Sequence, residues 1–427
     1  MARTHGDHRG RPLVAITGIG VVTCLGNGVR DNWSKLTSGQ SGIRPITRFS
    51  TEGLKTTIAG TVDGLCDAPY SAADLSTAMA EAAAHEAIAQ AAIGESSAFP
   101  GRLIVATPPS ELEWPHLRAL YAAGSGEPEG GYARLLSAAR SGTFGDMARH
   151  VRFANIAGRL QERFGTRGVP LSVCTACASG ATTIQLGAEA IRRGDVDAAL
   201  CIGTDATVHP EGLIRFSLLS ALSTRNHPAE RASKPFSKDR DGFVMAEGAG
   251  ALVLEDYDRA RARGVRVLGI VRGCGEKADH YHRTRSEPSG AAIIGAIRKT
   301  LYDAGLAPEE IDYINAHGTS TPENDKMEYV SLRSALGERI SEVPISSNKS
   351  MIGHTLIAAG AVEAVFSVMT MQTGTLPPTI NYDTPDPELP LDVVANVRRD
   401  ATVTTMLSNS FGFGGQNVCL ALSREPI

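Results

Sequence analysis

Four short stretches of the chain carry side chains able to do chemistry. The first, Cys174-Thr175-Ala176-Cys177-Ala178-Ser179-Gly180, stands where a strand-like run gives way to a helix-like one. A cysteine in the first turn of a helix faces the positive end of the helix dipole, which favours the thiolate and makes a nucleophile. Its small neighbours leave room for a substrate carbonyl, and the backbone N–H groups of such a turn can hold an oxyanion. Two other readings stay open on these residues alone. A cysteine among apolar residues is commonly a small core side chain, and Cys174 with Cys177 has the Cys-x-x-Cys spacing of redox and zinc sites. A redox dithiol needs both sulfurs exposed, however, and Cys174 ends the strand run. A four-ligand zinc site needs a second nearby pair, which the sequence lacks.

The second stretch, Asn315-Ala316-His317-Gly318-Thr319-Ser320-Thr321-Pro322, follows a buried strand, where α/β folds build their sites. Gly318 lets backbone approach, and Thr319 and Thr321 put two hydroxyls on one side; the plainer reading is a hydrogen-bonded loop histidine. The third, Ser346-Ser347-Asn348-Lys349-Ser350-Met351-Ile352-Gly353-His354, sets Lys349 and His354 at a helix start beside small residues. Such a lysine is otherwise solvated surface. The fourth, Ser408-Asn409-Ser410-Phe411-Gly412-Phe413-Gly414-Gly415, alternates phenylalanine with glycine. It reads as a gate over an apolar tunnel, or as a Gly-rich turn.

The elements that must position these stretches alternate in type. Residues 13–22 read as a glycine-broken strand, 29–36 and the Ala-rich 75–93 as helices, and 103–106 as a buried strand. Residues 124–131 read as a surface loop. Strand 171–174, helix 177–193 with Gly194 as its stop, and strand 197–203 follow. A helix over 293–301, strands 311–316 and 343–346, and a helix from about His354 to Met371 repeat that grammar. The alternation predicts an α/β fold with covered sheets. The expected division is a flexible leader over 1–11, a first half over 12–264 carrying Cys177, and a second half over 265–427 carrying both histidines and Lys349. The Arg-rich 256–263 reads as a solvated connection between them.

Composition narrows the function classes. With 427 residues, 42% hydrophobic and 21% charged, the chain is globular and large enough for two packed halves. A net charge of −4 argues against nucleic acid as the main partner. Seven cysteines, an odd number, do not read as a secreted disulfide framework. The most apolar run, 357–371, is interrupted by Gly360 and Glu363, and no membrane span or signal peptide is expected. The expectation is a cytoplasmic protein.

Taken in order and spacing, the four stretches resemble the decarboxylating β-ketoacyl-acyl-carrier-protein synthases of the thiolase superfamily. The resemblance begins at Val14-Ala-Ile-Thr-Gly-Ile-Gly-Val-Val-Thr and runs through Ala221-Leu-Ser-Thr-Arg-Asn226, Asp239-Arg-Asp-Gly-Phe243 and Leu376-Pro-Pro-Thr-Ile-Asn381. It implies the thiolase fold, two pseudo-twofold-related halves in five layers (αβαβα), assembled as a homodimer. It implies Cys177 as nucleophile, His317 and His354 as the catalytic histidines and Lys349 as their support. The N–H groups of Cys177 and Phe411 then form the oxyanion hole, with Phe411 as gate. Thr319 and Thr321 match phosphopantetheine-binding threonines, Asp325 and Glu328 an acidic pair near Lys349, and Asn315, Glu363, Ser408 and Asn409 a structural Na+ or K+ site. No other cofactor is implied, because phosphopantetheine arrives on the acyl carrier protein. The implied reaction is decarboxylative condensation of malonyl with an acyl group held on Cys177, in fatty-acid elongation and through neutral imidazole donors. Alternatives are a specialised synthase for very-long or modified acyl or polyketide chains, and a non-catalytic chain-length-factor-type subunit. The chain departs from the family at Thr107-Pro108-Pro109-Ser110-Glu111, over 114–149, and at Ser220 and 70–76, where carrier-binding basic residues are usual.

Overall fold

Two runs of elements, each opened by a long buried strand, follow the same plan. In the computed structural model, which describes residues 5–67, 70–94, 97–109, 112–124 and 131–425, the first run is Val14–Thr23 (β1), Ala72–Ala91 (α1), Arg102–Ala106 (β2), Leu171–Val173 (β3), Ser179–Arg193 (α2), Ala198–Asp205 (β4) and Gly248–Asp256 (β5). The second is Gly269–Ala278 (β6), Ala291–Ala304 (α3), Tyr313–Asn315 (β7), Pro322–Leu336 (α4), Pro344–Ser346 (β8), Ala359–Thr373 (α5), Thr405–Phe411 (β9) and Gln416–Ser423 (β10).

The strands lie in the order β3-β2-β4-β5-β1 in one half and β8-β7-β9-β10-β6 in the other. In both, the first three are parallel neighbours and the last two pair antiparallel. Equal order and equal direction are what a pseudo-twofold requires. The two half-sheets meet through the antiparallel pairs Val14↔Val271, Ala15↔Ile270 and Ile16↔Gly269.

Side-chain alternation along the strands makes the layers. On β10, Val418, Leu420 and Leu422 face a central core with Ile184 and Ile191 of α2 and Val362 and Phe366 of α5. Cys419 and Ala421 face the outer core with Ile293, Ile297 and Leu332 of α3 and α4. On β4, Leu200 and Ile202 likewise face α1, through Met79, Ala83 and Ala87. The result is the five-layer, thiolase-like α/β arrangement. The apolar run seen in the sequence is explained by position: Leu356–Thr373 is long and apolar enough to cross a bilayer, yet 83% of it is buried in the protein.

Two glycines set how closely the middle helices approach. A Cβ on Gly180 would lie 2.4 Å from the Ala361 nitrogen, and one on Gly360 would lie 2.5 Å from the Ala181 nitrogen. This crossing brings the starts of α2 and α5 together, and with them Cys177 and His354.

Several boundaries differ from the sequence reading. Helix α2 starts at Ser179, so Cys177 precedes it rather than lying in its first turn; Ala176, at φ 49°, turns the chain there. Helix α5 starts at Ala359, after a 3-10 turn over Leu356–Ala358, because Leu356 sits at φ 45° and interrupts the helical path. Residues 5–11 are tied to the body: Arg11 pairs with Asp7 (2.7 Å) and Asp303 (2.8 Å). The region expected to depart from relatives contains helices Trp114–Ala123 and Gly131–Arg140, while 125–130 of the expected loop, and Ser110 and Glu111, lie outside the described residues.

Candidate active site

Cys177, His317 and His354 converge in a buried cluster in which the sulfur and one ring nitrogen of each histidine lie within 4.8 Å of one another. Each comes from a different element. Cys177 sits at the turn between β3 and α2. His317 follows β7, where Glu328 on α4 accepts the N–H groups of His317 (2.9 Å) and Gly318 (2.8 Å) and the side-chain amide of Asn409 (3.0 Å). His354 is fixed by backbone: its N–H donates to Val244 O (2.7 Å), and its carbonyl accepts from Ala246 (2.9 Å).

The hydrogen bonds assign the ring protons. Leu356 N–H donates to Nδ1 of His354 at 3.2 Å, and the Lys349 ammonium stands 3.3 Å from Nδ1 of His317. Both Nδ1 atoms are therefore acceptors, and each neutral ring carries its proton on Nε2. Burial, with the Lys349 charge beside both rings, holds both imidazoles well below their usual range and keeps them neutral. The rings pack edge to face at 5.2 Å, and Phe411 lies 5.8 Å from His317.

Lys349 is buried with its partner. Its ammonium pairs with the Glu363 carboxylate and donates to the His317 carbonyl at 2.7 Å. Burial pushes the Glu363 carboxyl up to about 7 against the pull of Lys349. The cysteine departs from the sequence expectation of a favoured thiolate. Burial pushes the Cys177 thiol up to about 11, opposed by the Phe413 backbone N–H and the Lys349 charge. Removal from water outweighs the position before a helix.

A narrow pocket, open to solvent, leads to this cluster. Phe216, Phe243 and Phe411 wall it, and Thr319 and Thr321, whose hydroxyls are 2.9 Å apart, line it further out. Gly412 N–H bonds to Gln416 O at 2.6 Å, while Phe411 lies opposite Asn417. Strand alternation therefore turns the Phe411 N–H to the other edge of β9, past the last β7 pair, Asn315↔Ser408.

The sequence of the whole chain matches the beta-ketoacyl synthase N-terminal domain over residues 12–260 and the C-terminal domain over residues 268–383. The chain belongs to the beta-ketoacyl synthase family. It is 37% identical to the 3-oxoacyl-[acyl-carrier-protein] synthase 2 of Coxiella burnetii over 96% of this chain and 98% of that protein. It is 38% identical to the protein of the same name from Synechocystis, with the same coverage. Among solved structures, a beta-ketoacyl synthase from Burkholderia phymatum is 31% identical with TM-score 0.82, covering 97% of this chain and 100% of that one. A ketosynthase of a type II polyketide synthase, solved in complex with its acyl-carrier protein, is 30% identical with TM-score 0.83 and the same coverage.

Against this family frame, the sequence-derived site residues divide. Cys177, His317, His354, Phe411, Thr319 and Thr321 line one pocket, with Lys349 directly behind His317. Asp325 and Glu328 are both buried, but they brace backbone: Asp325 accepts Phe236 N–H (2.8 Å), and Glu328 holds the His317 loop. The carboxylate that meets Lys349 is Glu363 instead. Of the two cysteines, Cys174 is exposed, although it closes a strand run in the sequence, and Cys177 is buried, so the pair is no exposed dithiol. A metal held by Cys177, His317 and His354 is disfavoured, because both Nε2 atoms carry protons and an ammonium adjoins one ring. Sequence reasoning missed Phe216, which no local motif singles out, and gave Phe243 no place in the pocket although it ends the Asp239–Phe243 stretch.

Proposed function

We propose that this chain is a 3-oxoacyl-[acyl-carrier-protein] synthase of fatty-acid elongation, condensing malonyl with an acyl group carried on Cys177. The observation that carries the reading is the meeting of one buried thiol with two neutral Nε2–H donors at the end of an open pocket. A non-catalytic subunit would have no use for that set.

In the first half-reaction the Cys177 sulfur attacks the acyl thioester of a carrier arm. A thioester forms on Cys177, and the thiol proton ends on the departing arm sulfur. A malonyl arm then follows, past Thr319 and Thr321. Loss of CO2 leaves an enolate whose oxygen takes hydrogen bonds from Nε2–H of His317 and His354. Neutral donors suit this step, since they stabilise developing charge without surrendering a proton. The enolate carbon attacks the Cys177 thioester, the N–H groups of Cys177 and Phe411 hold the tetrahedral oxyanion, and the Cys177 thiolate leaves. With its thiol pushed up to about 11, Cys177 then recovers a proton and resets. Carbon oxidation levels are balanced throughout, so no redox cofactor is required.

The monovalent-cation reading has support in unpartnered oxygens. Among the described residues, buried Glu363 Oε2 and Asn409 Oδ1 have no hydrogen-bond partner, and nearby Asn315 Nδ2 donates to Ser408 Oγ at 3.3 Å. Hard oxygen donors of this kind fit Na+ or K+. Bound there, the ion would add positive charge beside Glu363. The carrier partner is supported by the names of the relatives, and a homodimer by β3, an edge strand of the sheet with Leu171 exposed. The cytoplasm is the proposed location.

The test is product formation from acyl-loaded and malonyl-loaded carrier proteins. A β-ketoacyl product two carbons longer, with one CO2 released per turnover, is expected; its absence would overturn the reading.

A further inference from the structure

The loop after β6 carries the basic run His280-Tyr281-His282-Arg283-Thr284-Arg285 in a chain of net charge −4. Its acids are occupied by backbone: Asp279 accepts Tyr281 N–H at 3.1 Å, and Glu287 accepts Ser289 N–H at 3.1 Å. Among the described residues, neither Arg283 nor Arg285 forms an ion pair. The two differ in place, for Arg285 lines the mouth of the Cys177 pocket and Arg283 does not. The loop is also pinned there: Gly414 N–H donates to Arg283 O at 2.9 Å, and Asp279 N–H donates to Gly415 O at 3.0 Å. Thr284, Ser286 and Asn324 line the pocket with Arg285 and add neutral hydrogen-bonding groups, and Glu323 adds one carboxylate.

We infer that Arg285 binds the phosphate of the carrier arm and so sets the preference of the site for a phosphorylated arm. The inference rests on the proposed carrier-borne substrate. An arm that delivers its thioester to Cys177 at the bottom of the pocket keeps its other end, the phosphodiester, at the mouth. A guanidinium presents paired N–H donors that match two phosphate oxygens, and among the described residues no carboxylate is ion-paired with this one, although Glu323 lines the same pocket. Exposure puts the contact at the weak end of charged hydrogen bonds, roughly a tenfold effect.

The experiment compares acylation of Cys177 by acyl-phosphopantetheine and by acyl-pantetheine, which lacks the phosphate, in wild type, R285Q, R285K and R283Q. The wild type is expected to favour the phosphorylated arm about tenfold in kcat/KM, through KM. R285Q should abolish that preference, R285K should recover part of it, and R283Q should keep it. An unchanged preference in R285Q overturns the inference. So does a defect in R285Q seen only with whole carrier protein, which would place the contact on the carrier surface. If neither arm acylates Cys177 in wild type, the function reading falls and takes the inference with it.

Discussion

The two halves share a strand order and divide the chemistry unequally. Three stations correspond: the loop after the second strand, the start of the middle-layer helix, and the end of the fourth strand. In the first half these hold Thr107-Pro108-Pro109, Cys177 and Asp205. In the second they hold His317, the Lys349–His354 segment and Phe411. Only one station of the first half, Cys177, lines the pocket, while all three of the second do. The first half's remaining contribution is support, since Asp205 accepts Ile357 N–H at 3.2 Å and so steadies the segment after His354. A duplicated fold whose middle helices cross at Gly180 and Gly360 sets two helix starts side by side. In the proposed mechanism one holds the nucleophile, and the other holds His354, one of the two enolate donors.

Removing the first half's single group should be the most severe break. Cys177→Ala is expected to cut condensation about 10⁴-fold or more, measured as β-ketoacyl product, while Cys177→Gln retains or enhances malonyl decarboxylation. Full condensation by Cys177→Ala would dissolve the division of labour. Next in size is the buried pair behind the donors. Lys349→Met should lower unfolding free energy by about 1–3 kcal/mol in denaturant titration, because the buried Glu363 loses its partner and must take up a proton, and adding Glu363→Gln should return part of the loss. An equal loss in the double variant would show that the pair is not the source.

His317→Ala separates the two half-reactions. Malonyl decarboxylation should fall about 10²–10³-fold while acylation of Cys177 survives; equal loss of both would place His317 on the nucleophile's side. The smallest effect is a pH slope. In the fold His317 is held well below its ordinary value of 6.5, so below that pH the unfolded chain gains a proton that the native ring refuses. Stability is therefore complete above about 6.5 and is lost as pH falls. Relative to His317→Gln, whose other buried groups are the same, wild type should lose about 1.4 kcal/mol per pH unit below 6.5. A flat difference would mean that His317 titrates normally. Decarboxylation by wild type should also hold steady through pH 6.5.

Much of this architecture was legible because its signals are local. Alternating apolar runs marked the strands, and the small residues around Cys177 and the glycine after His317 marked where backbone must come close. The repeat between halves showed only as a recurring alternation of strands and helices, since strand order is conserved between them and residues are not. The burial of Cys177 was hidden, for the groups that meet it, the Phe413 backbone N–H and the two histidines, are distant in sequence. The Lys349–Glu363 pair spans a turn that the sequence presented as helix, because nothing foretells the left-handed Leu356. Glu363 was therefore noted as a cation ligand before it was seen as an ion-pair partner.

In the proposed mechanism the buried cysteine, and not its exposed neighbour three residues earlier, takes the acyl group. Peptide-mapped mass spectrometry after incubation with acyl-loaded carrier tests it directly. The account predicts one acyl group per chain, on Cys177, and none on Cys177→Ala. Acyl mass on Cys174, or undiminished labelling of Cys177→Ala, would contradict it.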